Sequence, residues 1–595
     1  NLKQPHLSFL ADWPEVTQGG GQLDFINASL QGDLHKVRFG ANQVDRGQVE
    51  IADFLKTRLL IQVDTSTSAQ DLLDTLSSLP ILSVFREVKQ KTSAISGQLH
   101  SQIKLDIPLS SKINRKPRVQ AKARLQDLAL HIPQWMVDFS RVNGDITIDN
   151  EAVSASGLSA YYAGDPVRLS VTPDPKLRRT GFHINGNLHS QNLLKLVPEY
   201  LQQPVSGISP WDISVSVAHQ SDPQQPVLQL HASSTLAGTL LEFPEPARIQ
   251  AEQQQKLLFD AQLSTRGDFV FDLDLPQLLK ANGRLDLSVN ERSGLDYLTI
   301  GLGEKGENRE HRGVTITGNV KQLNLDNWVD YIKRYFNAEK DDSATFLRQI
   351  NHVDLTIDQL LVRGQQAMDS NLQLSNNGSV LQGQLDSTLV KGVFELPFAM
   401  DQQHPLIADL EYVNLVRSTS SDKLQLRMKD MPDLLITSKT FSYEDLIFSD
   451  LILSTRAHGN SFLIDQLDVS RDQVHLKSSG KWQFDPLHKE HVSVFNIAIS
   501  GSNFGQTVQN LGLGESIKDG KVNFSGQIGW GGDLFNINWP SLLGEVSLQL
   551  EDGYLKNVEP GAGRFVGLLS FNALPKRLFL DFGDVVKEGM QFNEI

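Results

Sequence analysis

The chain has 595 residues, of which 39% are hydrophobic and 21% are charged, and its formal net charge at pH 7 is −15. This length exceeds what a single hydrophobic core fills, and the hydrophobic fraction excludes a disordered chain. The acidic balance argues against nucleic acid as a partner. The absence of cysteine excludes disulfides, thiolate metal sites and cysteine nucleophiles.

The first predicted element is a helix over residues 69–91. Leucine and phenylalanine recur there at the spacing of one helix face, and Pro80 predicts a break. Further helices are predicted over 191–203, 325–350 and 506–513. Helices are therefore expected to be few.

Five segments alternate between apolar and polar residues, which predicts strands. Because successive side chains on a strand point to opposite faces, each segment has one apolar and one polar face, as is typical of antiparallel strands that contact water on one side. Their apolar positions are Ile213, Val215 and Val217; Leu285, Leu287 and Val289; Val353, Leu355 and Ile357; Leu424, Leu426 and Met428; and Val546, Leu548 and Leu550.

Asn-Gly and Asp-Gly pairs next to these and similar runs predict tight hairpin turns, because such turns need positive φ angles. Many hairpins in sequence order make a meander, so we predict an all-β, mainly antiparallel protein. The pairs are Asn143-Gly144, Asn185-Gly186, Asn282-Gly283, Asn377-Gly378, Asp519-Gly520 and Asp552-Gly553.

A weak internal repeat links two of the predicted helices to the strands before them. Repeats of this size indicate an extended assembly in which each unit packs on its neighbours. The same number of positions separates the two members of each matching pair, and the pairs are Gly186 and Gly318, Asn192 and Asn324, and Val197 and Val329.

The C-terminal sequence resembles that of a known family. Residues 557–578, followed by Leu580-Asp581-Phe582, are similar to a conserved block of the YhdP-type members of the AsmA-like superfamily. Trp13-Pro14, the leucine-rich helix from Asp71, and the segment from Trp539 to Gly553 also resemble that family.

The resemblance implies an extended, twisted β-sheet built from AsmA-like repeats, with a U-shaped groove that binds phospholipid acyl chains. It implies a periplasmic protein held in the inner membrane by an anchor helix absent from this sequence, with a possible outer-membrane partner. Phospholipid would be carried toward the outer membrane, without enzymatic activity, cofactor or metal. Three regions are expected: 1–175, a DUF3971-like β region with one amphipathic helix; 176–420, with repeated strand–helix units; and 421–595, an AsmA-like region that continues beyond this fragment.

The candidate lipid-contacting residues are the apolar positions of all the segments above except the one with Leu424. The same alternation also fits an ordinary sandwich core, which periodicity alone does not distinguish from an open groove. A second functional class is an assembly factor that holds client strands at a sheet edge during outer-membrane protein insertion. A carbohydrate-binding sandwich is disfavoured, since aromatic residues are 7% of the chain and not clustered.

Four weaker signals have competing interpretations. The segment from Gly514 to Lys521 differs from a phosphate loop, because five residues separate its glycines and Val522 follows the lysine. The scattered histidines show no metal-binding spacing. Residues 561–574 are either a mobile element at the groove or a cap. The basic stretch is either a headgroup contact or a solvated face, and it comprises Lys112, Arg115, Lys116, Arg118, Lys122 and Arg124.

Overall fold

The computed structural model describes residues 2–594 except for 4–5, 8–14, 41, 56–57, 79–88, 91–92, 110–116, 133–136, 151, 196–198, 220–224, 289–293, 304–311, 336–346, 399–403, 417–432, 445, 486–489, 511–516, 533–538 and 556–589. Strands predominate in the described residues, and most adjacent strands are antiparallel. The prediction of an all-β, mainly antiparallel fold is confirmed.

The helices are few and short, as predicted. Each of the four predicted helices is present in part, and the second is divided into two single turns. They are α1 Ala69–Ser78, α2 Ser190–Leu193, α3 Glu199–Gln202, α4 Leu325–Tyr335 and α5 Phe504–Asn510, with a 3-10 turn at Trp539–Ser541.

The chain forms two compact units. The first contains residues 1–243 and 247–298, and the second contains residues 244–246 and 299–595. The three predicted regions rest on sequence pattern and not on compactness, so they stay a prediction.

In the first unit, successive strands form an antiparallel meander from β4 to β15, and β17 to β19 continue it beside β15. The strands are β1 Leu2–Lys3, β2 His6–Leu7, β3 Val16–Thr17, β4 Gly20–Ile26, β5 Ser29–Phe39, β6 Asn42–Ile51, β7 Arg58–Ser68, β8 Ala94–Pro108, β9 Arg118–Ile132, β10 Val137–Asp149, β11 Ala152–Tyr162, β12 Asp165–Asp174, β13 Arg179–His189, β14 Val205–Ala218, β15 Leu228–Ser234, β16 Thr239–Leu241, β17 Leu257–Leu263, β18 Asp268–Leu275 and β19 Leu279–Asp286. The division between the units falls within β20, Leu295–Leu302.

The second unit is also one sheet, in which two neighbouring pairs, β21 with β22 and β26 with β27, are parallel. Its strands are β21 Gly313–Asn324, β22 Ile350–Val362, β23 Gln365–Asn376, β24 Val380–Asp386, β25 Val390–Pro397, β26 Leu406–Leu415, β27 Leu434–Tyr443, β28 Leu446–His458, β29 Ser461–Arg471, β30 Val474–Asp485, β31 Glu490–Gly501, β32 Ile517–Gly531, β33 Leu543–Leu555 and β34 Met590–Glu594.

Five of the six predicted hairpin turns are wrong, because their glycines lie inside strands. Asn377-Gly378 does form a turn, between β23 and β24, where Gly378 has a φ of +93° and Asn377 Oδ1 accepts hydrogen bonds from the N–H groups of Ser379 and Val380. The misplaced glycines are Gly144 in β10, Gly186 in β13, Gly283 in β19, Gly520 in β32 and Gly553 in β33.

Strand glycines instead make room for bulky side chains on the neighbouring strand. Gly480 in β30 is the register partner of Phe495 in β31. A Cβ atom on Gly480 would lie 2.4 Å from both Phe495 Cδ1 and the carbonyl oxygen of Val494. The phenyl ring therefore lies against the glycine backbone, a known way to compensate for glycine in a sheet. Gly283 with Phe271 and Gly383 with Phe394 repeat the arrangement.

We predict that Gly480→Ala destabilises the second unit by about 1–3 kcal/mol, since the added methyl group must displace a backbone oxygen and a packed ring. Urea unfolding followed by tryptophan fluorescence measures this, because Trp482 and Trp530 lie in the same buried cluster as Phe495. Gly531→Ala in the same unit is the control, since its Cβ would meet only the Ser541 side chain, at 3.5 Å or more. Equal shifts of the urea midpoint for the two variants would contradict this account.

Candidate functional site: the apolar faces of the two sheets

In the first unit, one face of the sheet is apolar across many strands. Ile213 in β14 is the register partner of Ile184 in β13 and of Ala232 in β15. Register partners share a face, so the row can be followed strand by strand. From β11 to β19, excluding β16, it reads Leu158, Leu169, Ile184, Ile213, Ala232, Phe259, Leu273 and Ala281.

A second row on the same face joins two of the predicted segments. Val217 pairs with Leu228 in β15, and Leu285 pairs with Phe269 in β18. Leu263 in β17 connects them, since it is the partner of both Leu228 and Phe269. The segments around Ile213 and Leu285 therefore contribute to one apolar face, which we call the first apolar face.

The second unit has a corresponding surface, the second apolar face, along which a single row crosses every strand from β21 to β33. Two predicted segments lie on it, because the row contains Val353 in β22 and Val546 in β33. All residues of the row are apolar except one serine and two glycines, and the glycines have no side chain. In strand order it reads Ile316, Val353, Leu374, Gly383, Phe394, Ala408, Ile436, Leu453, Leu467, Ser478, Ile497, Gly526 and Val546.

The opposite face of the first sheet is polar in equally regular rows. The row next to Ile213 contains His183, Ser214, His231, Asp260, Asp272 and Asn282. The ring of His231 lies 2.7 Å from Asp260 Oδ1 through Nδ1. Such cross-strand pairs keep this face in water.

The described part of the basic stretch belongs to that polar face. Arg124 Nε donates a hydrogen bond of 2.8 Å to Asp145 Oδ1, and this bond lowers the pKa of the Asp145 carboxyl below its ordinary value. Arg118 pairs in the same way with Asp149. These two arginines are therefore exposed and ion-paired; Lys112, Arg115 and Lys116 lie outside the described residues.

The predicted site residues differ in their exposure. Val353, Leu355 and Ile357 are buried, as are Ile213 and Leu550, whereas Val215, Val217 and Leu285 are half-buried. Val546 is 54% exposed and Leu548 is 45% exposed, on the second apolar face. A surface that presents large apolar side chains of this kind can bind an apolar ligand.

One predicted strand is shorter than the alternation suggested. β19 ends at Asp286, so Leu287 lies in the turn that follows and is 56% exposed. The strand ends there because Asp286 Oδ1 accepts hydrogen bonds from the N–H and the hydroxyl of Ser288. The prediction that Leu287 lies on a strand is wrong, while Val289 and the segment with Leu424, Leu426 and Met428 lie outside the described residues.

Sequence reasoning missed most of the residues that connect the predicted segments. Phe394, Ile436 and Ile497 complete the row on the second apolar face, yet glycine and serine interrupt the alternation around them. The signal that could have found them is a glycine directly opposite a phenylalanine, as at Gly383 and Phe394.

Polar networks at the strand ends hold helices against the apolar faces. Thr67 Oγ1 donates a buried hydrogen bond of 2.7 Å to Asn42 Oδ1, and the Asn42 amide donates to Thr75 Oγ1 in α1. Ala69 of α1 then packs into the apolar cluster that contains Leu99. α4 is placed similarly in the second unit, where Asp326 Oδ2 accepts a 2.7 Å hydrogen bond from the N–H of Arg363.

Asp165 is the centre of the network beside α2. Burial raises the pKa of its carboxyl, but hydrogen bonds from the His189 N–H, the Asn192 amide and the His189 ring outweigh burial, so the pKa lies below its ordinary value. The His189 N–H is 2.8 Å and the Asn192 amide nitrogen 2.9 Å from Asp165 Oδ2. Asn192, one of the repeated residues, therefore ties α2 to the start of β12.

The remaining weak signals are the segment that resembles a phosphate loop, residues 561–574 and the scattered histidines. Residues 517–521 of the segment that resembles a phosphate loop lie in β32, and residues 561–574 lie outside the described part of the chain. Across the described residues, no three His, Asp or Glu side chains come together in a way that could hold a metal ion. None of the helices described is both long and apolar enough to cross a membrane.

Comparison with known proteins gives one consistent result. The family model described as YhdP protein matches residues 1–595. The intermembrane phospholipid transporter YhdP of Escherichia coli (strain K12) is 20% identical over 624 aligned positions, which cover 100% of this chain and 47% of that protein. The chain thus spans about half the length of the curated relative it matches. No solved structure matches.

We predict that Asp165→Asn weakens the attachment of α2 and lowers the stability of the first unit at pH 7 by about 1–3 kcal/mol. Because the folded-state pKa lies below the ordinary value of 3.8, the stabilisation by Asp165 is present above that pH and is lost as pH falls through the folded pKa. The difference between the urea midpoints of wild type and variant, measured from pH 7 downwards, should therefore narrow as the pH falls below 3.8. Asp260→Asn, at an exposed carboxylate, is the control; a constant difference at all pH values would disprove the role of ionised Asp165.

Proposed function

Because the chain belongs to the YhdP protein family, we propose that it is a lipid-binding segment of an inner-membrane-anchored protein that carries phospholipid across the periplasm toward the outer membrane. The E. coli relative is named an intermembrane phospholipid transporter, and this chain corresponds to 47% of it. The substrate, the direction of transport, the U-shaped groove and the membrane anchor are parts of this proposal.

The observation that carries the proposal is the row of mainly apolar residues that crosses every strand from β21 to β33. Each methylene group removed from water is worth about 0.8 kcal/mol, so an acyl chain does not cross an aqueous space unaided. A row that continues from strand to strand offers an acyl chain one apolar contact after another. Each step then replaces a contact by an equivalent one, which keeps the barriers small.

The polar rows on the opposite face of the sheet support the same function. A phospholipid needs an apolar surface for its tails and water for its headgroup. Alternation provides both without any reactive group, since Ile213 and Ser214 are neighbours in sequence but lie on opposite faces. We propose the predicted apolar residues of β14, β19, β22 and β33 as tail contacts.

We predict that a photoreactive phenylalanine derivative at Val546 cross-links phospholipid, whereas the same derivative at Ser547 does not. The two positions are adjacent and both exposed, but Val546 belongs to the second apolar face and Ser547 to the opposite one. Mass spectrometry of the full 595-residue chain, incubated with phospholipid vesicles, identifies the adducts. Equal adduct yields at the two positions would exclude a face-specific lipid site in β33.

We also predict that the double substitution Val546→Asp with Leu548→Asp lowers phospholipid binding near β33 by at least about ten-fold, because an acyl chain would have to desolvate two carboxylates. Ser547→Asp, which adds a charge on the opposite face, is the matched control. Lipid adducts formed at a photoreactive derivative placed at Phe524, which is the register partner of Leu548 and so lies on the second apolar face, report binding in each background. Recovery of the purified wild-type chain without any phospholipid would refute lipid carriage by this segment.

A further inference from the structure

The sequence contains four asparagines that are followed directly by glycine, namely Asn143, Asn185, Asn282 and Asn377. In such a pair the glycine backbone nitrogen can attack the side-chain carbon Cγ of the asparagine, since glycine has no Cβ atom to hinder the approach. The reaction is intramolecular, so its rate depends on whether the backbone lets the two atoms meet. The fold therefore decides which of the four asparagines reacts.

The reaction is a deamidation, and water is its only co-reactant. A bond forms between the glycine nitrogen and Cγ, and the bond between Cγ and the amide nitrogen Nδ2 breaks. The proton of the glycine N–H leaves with Nδ2 as ammonia, and a succinimide ring remains. Water then opens the ring. Attack of water at Cγ gives aspartate, and attack at the backbone carbonyl carbon gives isoaspartate, in which the main chain runs through the side chain.

Three of the asparagines lie inside strands, where the two reacting atoms are held apart. A strand is extended and its side chains stand roughly perpendicular to it, so Cγ does not approach the next backbone nitrogen. Asn185 in β13 pairs with Arg168 on one side and with Asp212 on the other, which keeps the strand extended. Asn185 is nevertheless exposed. Its protection therefore comes from the backbone and not from exclusion of water.

Asn143 and Asn282 are held in strands as well. Asn143 Oδ1 accepts a 3.0 Å hydrogen bond from the N–H of Asp127 in β9, so the carboxamide is bound to a neighbouring strand. Asn282 in β19 pairs with Asp272 in β18. Ring closure at either asparagine requires local opening of the sheet, which costs free energy.

Asn377 lies outside the strands, in the turn between β23 and β24. Both Asn377 and Gly378 are exposed, and a Cβ atom on Gly378 would meet nothing within 4 Å. Asn377 Oδ1 accepts 2.9 Å hydrogen bonds from the N–H groups of Ser379 and Val380. Because both residues follow Gly378, the carboxamide is turned toward the backbone that contains the attacking nitrogen. The same two donors lie at the oxygen that becomes negatively charged during the attack, and they stabilise that charge.

The attacking nitrogen is also free of the sheet. The Gly378 N–H donates a 2.7 Å hydrogen bond to Asn376 Oδ1. This partner is a side chain and not the backbone of a neighbouring strand, so the attack requires no opening of the sheet.

We infer that Asn377 is a site of spontaneous covalent modification, at which the folded protein converts asparagine to aspartate and isoaspartate while the other three asparagine–glycine pairs stay intact. The new carboxylate adds a negative charge to the turn. Isoaspartate also adds a carbon atom to the main chain beside Leu381, which is 1% exposed in the core of the second unit. Accumulation of isoaspartate therefore loosens the start of β24 and lowers the stability of that unit. This inference is independent of the proposed function.

The test is incubation of the full folded chain at mildly alkaline pH, which favours loss of the backbone N–H proton, followed by mass spectrometry of its peptides. Conversion at Asn377 is expected to be at least about ten-fold faster than at Asn185, which is the matched control because it is also exposed and also precedes glycine. In urea, all four rates are expected to become similar, since the sheet no longer holds the strand pairs. Equal conversion at the four sites of the folded chain would overturn the inference. An intact Asn377 in the folded chain, after the unfolded chain has reacted, would overturn it as well.

Asn377→Gln tests the effect on stability. Ring closure from glutamine needs a larger ring and is much slower, so the urea midpoint of this variant is expected to stay constant through the incubation while that of wild type falls as isoaspartate accumulates. Asn185→Gln is the companion control, and its midpoint should fall as that of wild type does. Parallel falls in wild type and Asn377→Gln, or a constant wild-type midpoint despite conversion, would contradict the loosening of β24.

Discussion

The structure of each sheet depends on a register that keeps most of its apolar side chains on one face. Side chains alternate with a period of two, so a shift of one residue in any strand would move all of its apolar side chains to the polar face. In the second unit, the row through Val353 and Val546 stays on the same face of the sheet across both parallel and antiparallel pairs. The candidate lipid surface is therefore a property of the pairing, and no single strand contains it.

Bulges preserve that arrangement where the sequence itself departs from strict alternation. Leu34 and Val37 are both buried, although two polar residues stand between them. Lys36 has a φ of +50° there, and β6 makes the same step, since Leu34 pairs with Gly47 and Val37 with Val44. Arg141 is a bulged residue with a φ of +49° between Phe139 and Val142, where the pairing with β9 shifts by one residue. Both residues with a positive φ are long and polar, so each lies in water while its neighbours return to the apolar face.

Much of the fold was predictable because alternation is a local property of the sequence. The antiparallel sheet and the short helices followed from it, and so did the segments on the apolar faces around Ile213 and Val353. The hairpin positions were not predictable from Asn-Gly pairs, since Gly283, which faces Phe271 from inside a strand, follows an asparagine just as the turn glycine Gly378 does. The parallel pairing of β21 with β22 was also missed, because alternation carries no information about strand direction.

The positions of the buried polar groups explain how an apolar face can remain available to a ligand. Asn42 and Asp165 lie at strand ends, where they bind α1 and α2 through hydrogen bonds, so polar contacts at the strand ends hold the helices. Along the strands, a phenyl ring that lies against a glycine, as at Gly383, covers the backbone with a side chain from the same sheet. Backbone pairing and these ring–glycine contacts stabilise the sheet from within one layer. A second layer of protein is then not required at these positions, and the apolar surface that such a layer would occupy is available for the acyl chains of the proposed function.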